Sequence, residues 1–551
     1  MADMQELTTE VLIVGGGPVG LALANELGMR GVRALLVEQH DRVGSQPRAK
    51  TTNVRTMEHM RRWGLAEKVR QASALPRGYP TDVFFLTRLY GHELAHFKNA
   101  FNGYSDRDER YSEHAQWIPQ YVIESVLRDG VALRPSVDVR FGVRLDSLAQ
   151  SETGVTAELT SLGDGATFKV KASYLVGADG ARSTVRELIG AKLEGQHGLG
   201  SHYNTIIRVP EFGANPPRQR GIMYWLVNPE SPAVMTPMDT DNTWTFGTTL
   251  KGDKNDLSPE EIRDRLYKSV GRPVDFDIVA VDRWSGHRLI ADRYRDRRVF
   301  LAGDACHLHP PFGGFGMNMG IGDAVDLGWK LTAVLNGWGG SALLESYQSE
   351  RRPVHLRVLE VSVQNYSVLS EHLVRDRIDS DDELGRKVRA ELTAEIVKSK
   401  AQEFRSLGVV LGSHYSGSPI VIGDGTPPPP ARVMEFEPSA HPGCLAPHMW
   451  LDESTSLYDR FDKGFTVLVT DPSAEAAGRR LLEAGKADGL PVSLLMPNMA
   501  RLRELYGCSL ALIRPDQHVA WRGDAVPEDP PAVVRRVCGF GAIREAAETA
   551  A

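Results

Sequence analysis

The sequence predicts an α/β protein: a Rossmann-like dinucleotide-binding unit with an interleaved mixed β-sheet, followed by a smaller α/β unit at the C-terminal end. Three observations carry this reading. A strand, a glycine turn, a helix and a second strand follow one another within the first forty residues. Aromatic-rich strand patterns recur at about 80–105 and 200–285, between segments that read as parts of the first unit. Four consecutive prolines at 427–430 then precede a final segment in which strands and helices alternate again.

A chain of 551 residues is too long for one core, so two or three domains are expected. The formal charge of -7, from 64 basic and 71 acidic residues, offers no broad positive surface for a polyanion. Nucleic acid is therefore not expected as a partner. No apolar run approaches the roughly 18 to 20 residues of a membrane span, and the start MADMQELTTE lacks a basic stretch before an apolar core. A cytoplasmic protein without a membrane partner is the expectation. Cys306, Cys444, Cys508 and Cys538 form no C-x-x-C pair, which argues for reduced, partly buried thiols rather than a zinc ribbon or a redox pair.

Residues 11–14, VLIV, read as a buried parallel strand that runs directly into GGGPVG at 15–20. Small and apolar residues then recur at helical spacing to Arg30, Gly31 is placed to end that helix, and residues 32–37 form the next strand. Gly15 permits the tight turn, Gly17 lets backbone approach a pyrophosphate, and Gly20 lets helix and strand pack closely. Pro18 and Val19 open the helix whose N–H groups face the phosphates. Glu38, eighteen residues past Gly20, ends the second strand beside Gln39 and is placed to accept hydrogen bonds from ribose hydroxyls. A glycine turn without a ligand is the weaker alternative, and the unit alone does not separate NAD from FAD.

Residues 298–302 read as a strand leading into GDACHLHPPFGGFGMN at 303–318, after which a helix starts near Met317 and ends at Asn336 and Gly337. Asp304, at the strand end after Gly303, suits a sugar or ribityl hydroxyl. The loop at Pro311, Gly314 and Gly316 can bring backbone N–H groups up to a flat ring. With Met317 and Asn318 at the start of the helix, it would stabilise negative charge on the N1/O2 edge of a reduced flavin. Glycines serving only the turns of this loop are the alternative. At 174–183 another strand enters a turn at Asp179 and Gly180, with Thr184 and Glu187 at capping-box spacing. There a well-capped turn and a ligand role fit equally. His307 and His309 lack a third ligand in sequence, so hydrogen-bonded or solvent-facing histidines are expected and no metal.

The ordered set of GGGPVG with Glu38, then Gln46-Pro47-Arg48-Ala49 with Arg55-Thr-Met-Glu58, then Pro119-Gln120, GADGARS and GDACHLHPPFGGFGMN resembles the single-component flavoprotein aromatic hydroxylases. This is the family of para-hydroxybenzoate and phenol hydroxylases, and the likeness covers roughly the first 360 residues. It implies FAD bound by Gly15, Gly17, Gly20, Glu38, Arg48, Gln120, Asp304 and the loop 311–318. It also implies a turn at Asp179 that serves both FAD and the pyridine nucleotide. Cys306 stands where the family often has alanine. From the residues alone, Arg48 reads equally as a surface ion-pair partner and Gln120 as a cap for a helix begun by Pro119.

What the resemblance implies for chemistry is reduction of FAD by NADH or NADPH, activation of O2 at flavin C4a, and transfer of a hydroxyl to an electron-rich ring carbon of a phenolic or polyketide substrate. The catalytic base is not legible. Baeyer–Villiger or epoxidising oxidation on the same fold is an alternative, as is a flavin-binding scaffold without oxygenase turnover. A separate NADPH domain is not expected, since no second G-x-G-x-x-G occurs. Tyr224, Trp225, Phe246 and Phe312 are candidates for a substrate pocket, although aromatic residues on a sheet are more often core.

The first unit is expected to span 1–360, a helical connection 361–408, a linker 409–430 and the last domain 431–551. Charge pairs around Glu350-Arg351-Arg352-Pro353, expected to open a long helical stretch, read as a solvated helix face. The strands at 465–469, 492–495, 509–513 and 519–521 resemble the thioredoxin-like C-terminal domain of phenol and polyketide hydroxylases. Without C-x-x-C it cannot exchange dithiols, so packing or homodimer formation is the expected role.

Overall fold

The computed structural model describes residues 6–41, 49–214, 219–250 and 256–541. Its first sheet has eight strands, ordered Arg295–Asp296, Val299–Leu301, Thr167–Gly177, Glu6–Val14, Ala34–Glu38 and Val137–Phe141 along the main path. The five strands from Val299–Leu301 to Val137–Phe141 are mutually parallel, as apolar runs buried on both faces require. Val11, Leu12 and Ile13 are fully buried and pack with Leu21 and Leu23 of the helix Pro18–Met29 and with Ile321, Val325 and Leu327 of the helix Gly316–Leu335. The first helix stops at Arg30, and Gly31 takes the left-handed conformation the chain reversal needs, at φ +76°.

The second sheet, also of eight strands, is assembled from distant segments: Val83–Leu86 and Glu93–Phe97 join Leu193–Arg208, Met223–Leu226, Ala233–Pro237, Thr243–Thr249, Asp277–Ala291 and His307–Leu308. One face is closed by the helix Pro259–Val270, whose Leu266 and Val270 pack on Phe84, Tyr224, Trp244 and Phe246. On the other face, Phe85 and Trp225 meet Ile396 and Phe404 of the helix Glu383–Phe404.

The third sheet has four strands, ordered Val492–Leu495, Phe465–Val469, Leu510–Ile513 and Val519–Gly523. The first pair is parallel and the rest antiparallel, with helices Glu475–Ala487 and Pro530–Val537 packed on it. Its core is shared with the rest of the chain: Phe465 sits edge-on to Trp329 of the helix Gly316–Leu335, with ring centroids 6.0 Å apart. The proline-rich stretch is irregular and exposed at 423–428, while Ile420 and Val421 just before it are buried and Ile422 donates to the Ala520 carbonyl.

Two local expectations are corrected. Pro353 lies inside the helix Ser341–Tyr366, and Glu350 and Arg351 are buried rather than solvated. The reason is long-range: Glu350 accepts from both Arg514 Nη atoms at 2.6 and 2.9 Å, from Lys330 Nζ at 2.6 Å and from Ser418 Oγ at 2.5 Å. Arg514 also pairs with Asp516 at 2.6 Å and Asp326 at 3.3 Å. Second, the turn after Thr167–Gly177 is capped by Ser183, whose hydroxyl accepts from Arg186 N, and not by Thr184. Asp179 positions that cap by accepting from Ser183 Oγ at 2.5 Å and Val185 N at 3.0 Å.

The cluster of Asp326, Lys330, Glu350, Arg514 and Asp516 holds three carboxyl groups and two cations. Burial raises Asp326, with Glu350 and Asp516 adding repulsion, so this carboxyl takes up the proton that brings the cluster toward neutrality. Burial also acts to raise Glu350, but Arg514 and Lys330 outweigh it and hold it near 2. Replacing Arg514 by Leu should lower stability by about 3 to 5 kcal/mol in chemical denaturation, because it strands Asp516 without a cation and leaves Lys330 alone to balance Glu350 and Asp326. A loss below about 1 kcal/mol would show that the cluster does not hold the units together. The Glu350 contribution is complete above its unfolded value of 4.5 and should vanish as pH falls toward 2.

Candidate functional site

A cavity of about 1090 Å³ lies between the first and second sheets and has two arms. The glycine turn forms one. Gly15 has φ +112°, and a Cβ there would lie 2.3 Å from the Ala178 carbonyl oxygen, so only glycine fits. A Cβ on Gly20 would meet the Gly15 oxygen at 1.9 Å, the close helix-to-turn approach expected of that position. Gly17 differs: nothing lies within 4 Å of its Cβ direction, and its side is open space. No side chain caps the helix Pro18–Met29, so its first N–H groups remain available to an anion. Glu38 accepts from Gly16 N at 2.7 Å and His40 N at 2.9 Å, which fixes the carboxylate beside the turn.

The loop 311–318 closes the same arm. Gly314 has φ +66° and presses on Thr51, where a Cβ would come within 2.6 Å. The helix Gly316–Leu335 likewise starts without a side-chain cap. Asn318 points away from the cavity and ties the loop down, accepting from Asn53 N at 2.9 Å and donating to the carbonyls of Thr51 and Gly314 at 2.8 and 2.6 Å. Gly303, at φ +63°, backs onto Val19 from behind.

Of the residues expected around a dinucleotide, the cavity is lined by Gly15, Gly17, Pro18, Val19, Glu38, Gln39, Gln120, Asp179, Asp304, Pro311, Gly314, Gly316 and Met317. Gly20, Gly303 and Asn318 support the walls from outside. Arg48 lies outside the described residues. Gln120 donates to Glu124 at 2.8 Å, one turn further along its own helix. Two uncapped helix starts of 12 and 20 residues, an open Gly17 and a fixed acid at the second strand end fit FAD: they supply N–H donors for a pyrophosphate and for the ring, and an acceptor for a ribose.

The second arm is the substrate side. Trp225 and Phe312 line it, whereas Tyr224 and Phe246 point to the opposite face of the second sheet. The two-residue period of a strand causes this split: Met223 and Trp225 face the cavity, and Tyr224 alternates away to pack at 5.5 Å on Phe84. Several other residues at or behind this wall carry no signal in the sequence. His202 stacks on Trp284 at 4.0 Å and shares a 3.0 Å hydrogen bond with the Tyr366 hydroxyl, and burial lowers it to about 4, so it is neutral. Lys400, ion-paired with Glu403, sits 4.1 Å from the centre of the Trp225 ring. Lys50 reaches across from the first arm. These residues come from segments hundreds of positions apart, so no local spacing connects them.

The ligand-type atoms of Cys306, His307 and Asp323 lie within 4.8 Å of one another. Asp323 is already saturated, accepting from Gly303 N, from His307 at 2.8 Å, from Arg351 at 2.7 Å and from His355 at 2.9 Å. Arg351 gives Asp323 its counter-charge, and His307 is the hydrogen-bonded, fully buried histidine rather than a solvent-facing one. Gly17→Val tests the cofactor arm: the space is open, so the apo-protein should fold normally by circular dichroism, while FAD affinity falls at least about tenfold, or 1.4 kcal/mol. Unchanged flavin content would place the pyrophosphate elsewhere.

Comparison with known proteins agrees with this geometry. Residues 8–362 match the FAD binding domain family and residues 439–540 the aromatic-ring hydroxylase C-terminal family. The chain is 35% identical over 557 residues to a tetracenomycin B2 monooxygenase-dioxygenase of Streptomyces olivaceus, covering 96% of this chain and 98% of that protein. It is 29% identical to a 2,4-dichlorophenol 6-monooxygenase of Delftia acidovorans, covering 94% and 95%. Among solved structures, RebC with bound 7-carboxy-K252c superposes with a TM-score of 0.89 at 33% identity over 97% of this chain and 99% of that one. A ternary complex of aklavinone-11 hydroxylase with FAD and aklavinone gives 0.82 at 29% identity over 98% and 100%. An uncapped glycine turn, a second uncapped helix start and an aromatic arm between two sheets are thus the working parts of an FAD-dependent monooxygenase, and the chain belongs to the FAD-dependent aromatic-ring hydroxylase family.

Proposed function

We propose that this enzyme hydroxylates a phenolic ring of polyketide type, using NADH or NADPH and O2. The observation that carries the reading is the continuity of the cavity: one space joins the flavin loop to an arm walled by Met223, Trp225, Trp284 and Phe312. Flat, apolar walls of this kind suit a planar ring system. The relatives named for tetracenomycin and aklavinone support a fused-ring substrate, and the dichlorophenol relative supports the phenolic part.

When bound, FAD supplies electron uptake from the nicotinamide and transfer of one oxygen atom of O2 to the ring; the other leaves as water. The chain does the positioning. The glycine turn and Glu38 anchor the adenosine end, and the helix start at Gly316 and Met317 offers positive potential to negative charge on the reduced ring. Phe312, on the loop that begins this helix, is shared by both arms. It packs 5.2 Å from Tyr366 and 6.0 Å from Trp225, so the same loop that cradles the cofactor orders the substrate wall. The aromatic walls of this arm offer water few partners beside the transfer step.

The cytoplasmic location and the homodimer belong to this reading as well. Four buried, unpaired thiols support the first. For the second, sedimentation at working concentration gives the answer directly. The chemical reading is tested with purified holoenzyme and a panel of phenols and polycyclic phenols, following NADH and NADPH oxidation together with product mass and bond position. Substrate-stimulated oxidation with a new ring hydroxyl is expected. Oxygen insertion beside a carbonyl would establish Baeyer–Villiger chemistry instead, and bound FAD without stimulation by any phenol would leave a scaffold. Phe312→Ala should lower kcat/KM roughly tenfold, about 1.4 kcal/mol, and increase the share of nicotinamide oxidised without product.

A further inference from the structure

Every fully enclosed cation described above has a carboxylate beside it: Lys330 has Asp326 and Glu350, Lys400 has Glu403, Arg351 has Asp323, and Arg514 has Glu350 and Asp516. Lys50 does not. Its backbone is fixed in the cofactor arm, where its carbonyl accepts from Ile118 N at 2.7 Å just ahead of the two-residue strand Thr51–Thr52. Its side chain leaves that arm and crosses the cavity to the second sheet. There Nζ donates to Thr236 Oγ1 at 2.7 Å and Thr245 Oγ1 at 2.9 Å. These hydroxyls sit on adjacent strands in direct register and touch each other at 2.6 Å. The Trp117 ring lies 5.9 Å from Nζ.

Two threonine hydroxyls orient an amine without neutralising it. An ammonium has three N–H bonds, and the pair of threonines uses two. The remaining position belongs to the cavity that Lys50 lines together with Trp225, Phe312 and Trp284. Among the described residues no carboxylate pairs with Lys50. A half-buried cation held this way gains its counter-charge only when the cavity brings an anion.

We propose that Lys50 is the group that meets the reacting hydroxyl of the substrate and holds it as an anion. The free amine takes the hydroxyl proton: the O–H bond breaks, its electron pair stays on oxygen, and a third N–H bond forms. The resulting ammonium then pairs with the phenolate, whose charge spreads onto the ring carbon that accepts oxygen. The proton returns to the product oxygen or passes to water as product leaves. This inference rests on the reading of an aromatic substrate made above.

The electrostatics around Lys50 agree with the geometry. Burial alone moves its amine down to about 7, with no charged neighbour contributing, so the free amine is well populated at neutral pH. Other titratable groups facing the cavity are poorly placed to act in that range. Burial keeps His202 and His309 neutral and pushes the Tyr121 phenol up, and Glu403 is taken by Lys400; Glu124 and Glu371 also line the cavity, as do Glu38, His40, Asp41, Arg128, Arg144, Asp179, Arg182 and Asp304.

The test uses holoenzyme and 4-nitrophenol, whose phenolate is yellow and whose neutral form is colourless. Wild type should bind it as phenolate, with the ionisation of the bound probe shifted by at least tenfold toward the anion relative to free probe. In Lys50→Met the bound probe should follow its free ionisation and bind at least tenfold more weakly at slightly alkaline pH. Lys50→Arg should restore anion binding without restoring proton uptake, so kcat/KM for phenols loses its rise through neutral pH. Flavin content and thermal unfolding of both variants confirm folding; replacing an uncompensated cation by methionine should leave stability equal or higher.

Equal ionisation of the probe in wild type and Lys50→Met would overturn the proposal, as would failure of wild type to bind the probe. So would a change in the flavin spectrum of Lys50→Met without phenol and no change with it, since that would put Lys50 on the cofactor. Phenols that stimulate nicotinamide oxidation equally in both proteins remove Lys50 from the chemistry and leave the aromatic reading standing. If no phenol stimulates wild type, that reading itself fails.

Discussion

The helix Gly316–Leu335 is the constraint on which the remaining structure depends, and its charged middle is its critical part. The first turn faces the cavity, Asn318 ties the flavin loop to the segment 51–53, and Ile321, Val325 and Leu327 enter the core of the first sheet. Asp326 and Lys330 then enter the buried ion cluster with Glu350, Arg514 and Asp516. Trp329 covers the cluster and donates to Asp516 at 3.2 Å. One helix therefore serves cofactor site, main core and C-terminal unit, and a shift at any of these would be felt at the other two. Apolar contact alone would join the units without fixing their register; the paired charges accept only one arrangement.

Much of the fold was legible because its signals are local. The first βαβ unit, the strand Phe465–Val469 and the strand Val492–Leu495 follow directly from short apolar runs bounded by glycine or polar turns. The misread parts depend on distant partners. Glu350 and Arg351 look like a solvated pair because helix-surface charges usually are, and nothing within thirty residues reveals Arg514. Pro353 looks like a helix start for the same reason: the propensity rule is local, and packing of Val354, Val358 and Leu359 overrides it.

The site divides along the same line. Glycine positions are readable from the turn they serve, as Gly20 against the Gly15 oxygen shows, although the backbone that closes on Gly15, at Ala178, lies far along the chain. The substrate arm is not. Its walls alternate with the strand period, so naming aromatic residues on one strand selects both faces at once; Trp225 and Tyr224 are the example. Lys50 follows a motif segment but carries no pattern of its own, because the threonines that define its environment are almost two hundred residues away.

The arginines of the helix Val54–Arg62 give the C-terminal unit a meaning beyond packing. Arg55 donates to the Gln517 side chain at 2.7 Å and the Asp516 carbonyl at 2.9 Å, and Arg62 donates to the Pro515 carbonyl at 2.7 Å. The segment that precedes this helix, 51–53, is the same one clamped to the flavin loop by Asn318. Occupancy of the cofactor arm and attachment of the C-terminal unit thus share one lever. By reciprocity, whatever free energy flavin contributes to seating that lever is returned as tighter retention of flavin when the C-terminal turn is docked. The turn 514–517 is thus fastened to the helix whose preceding segment holds the flavin loop, two hydrogen-bonded steps from the cofactor arm.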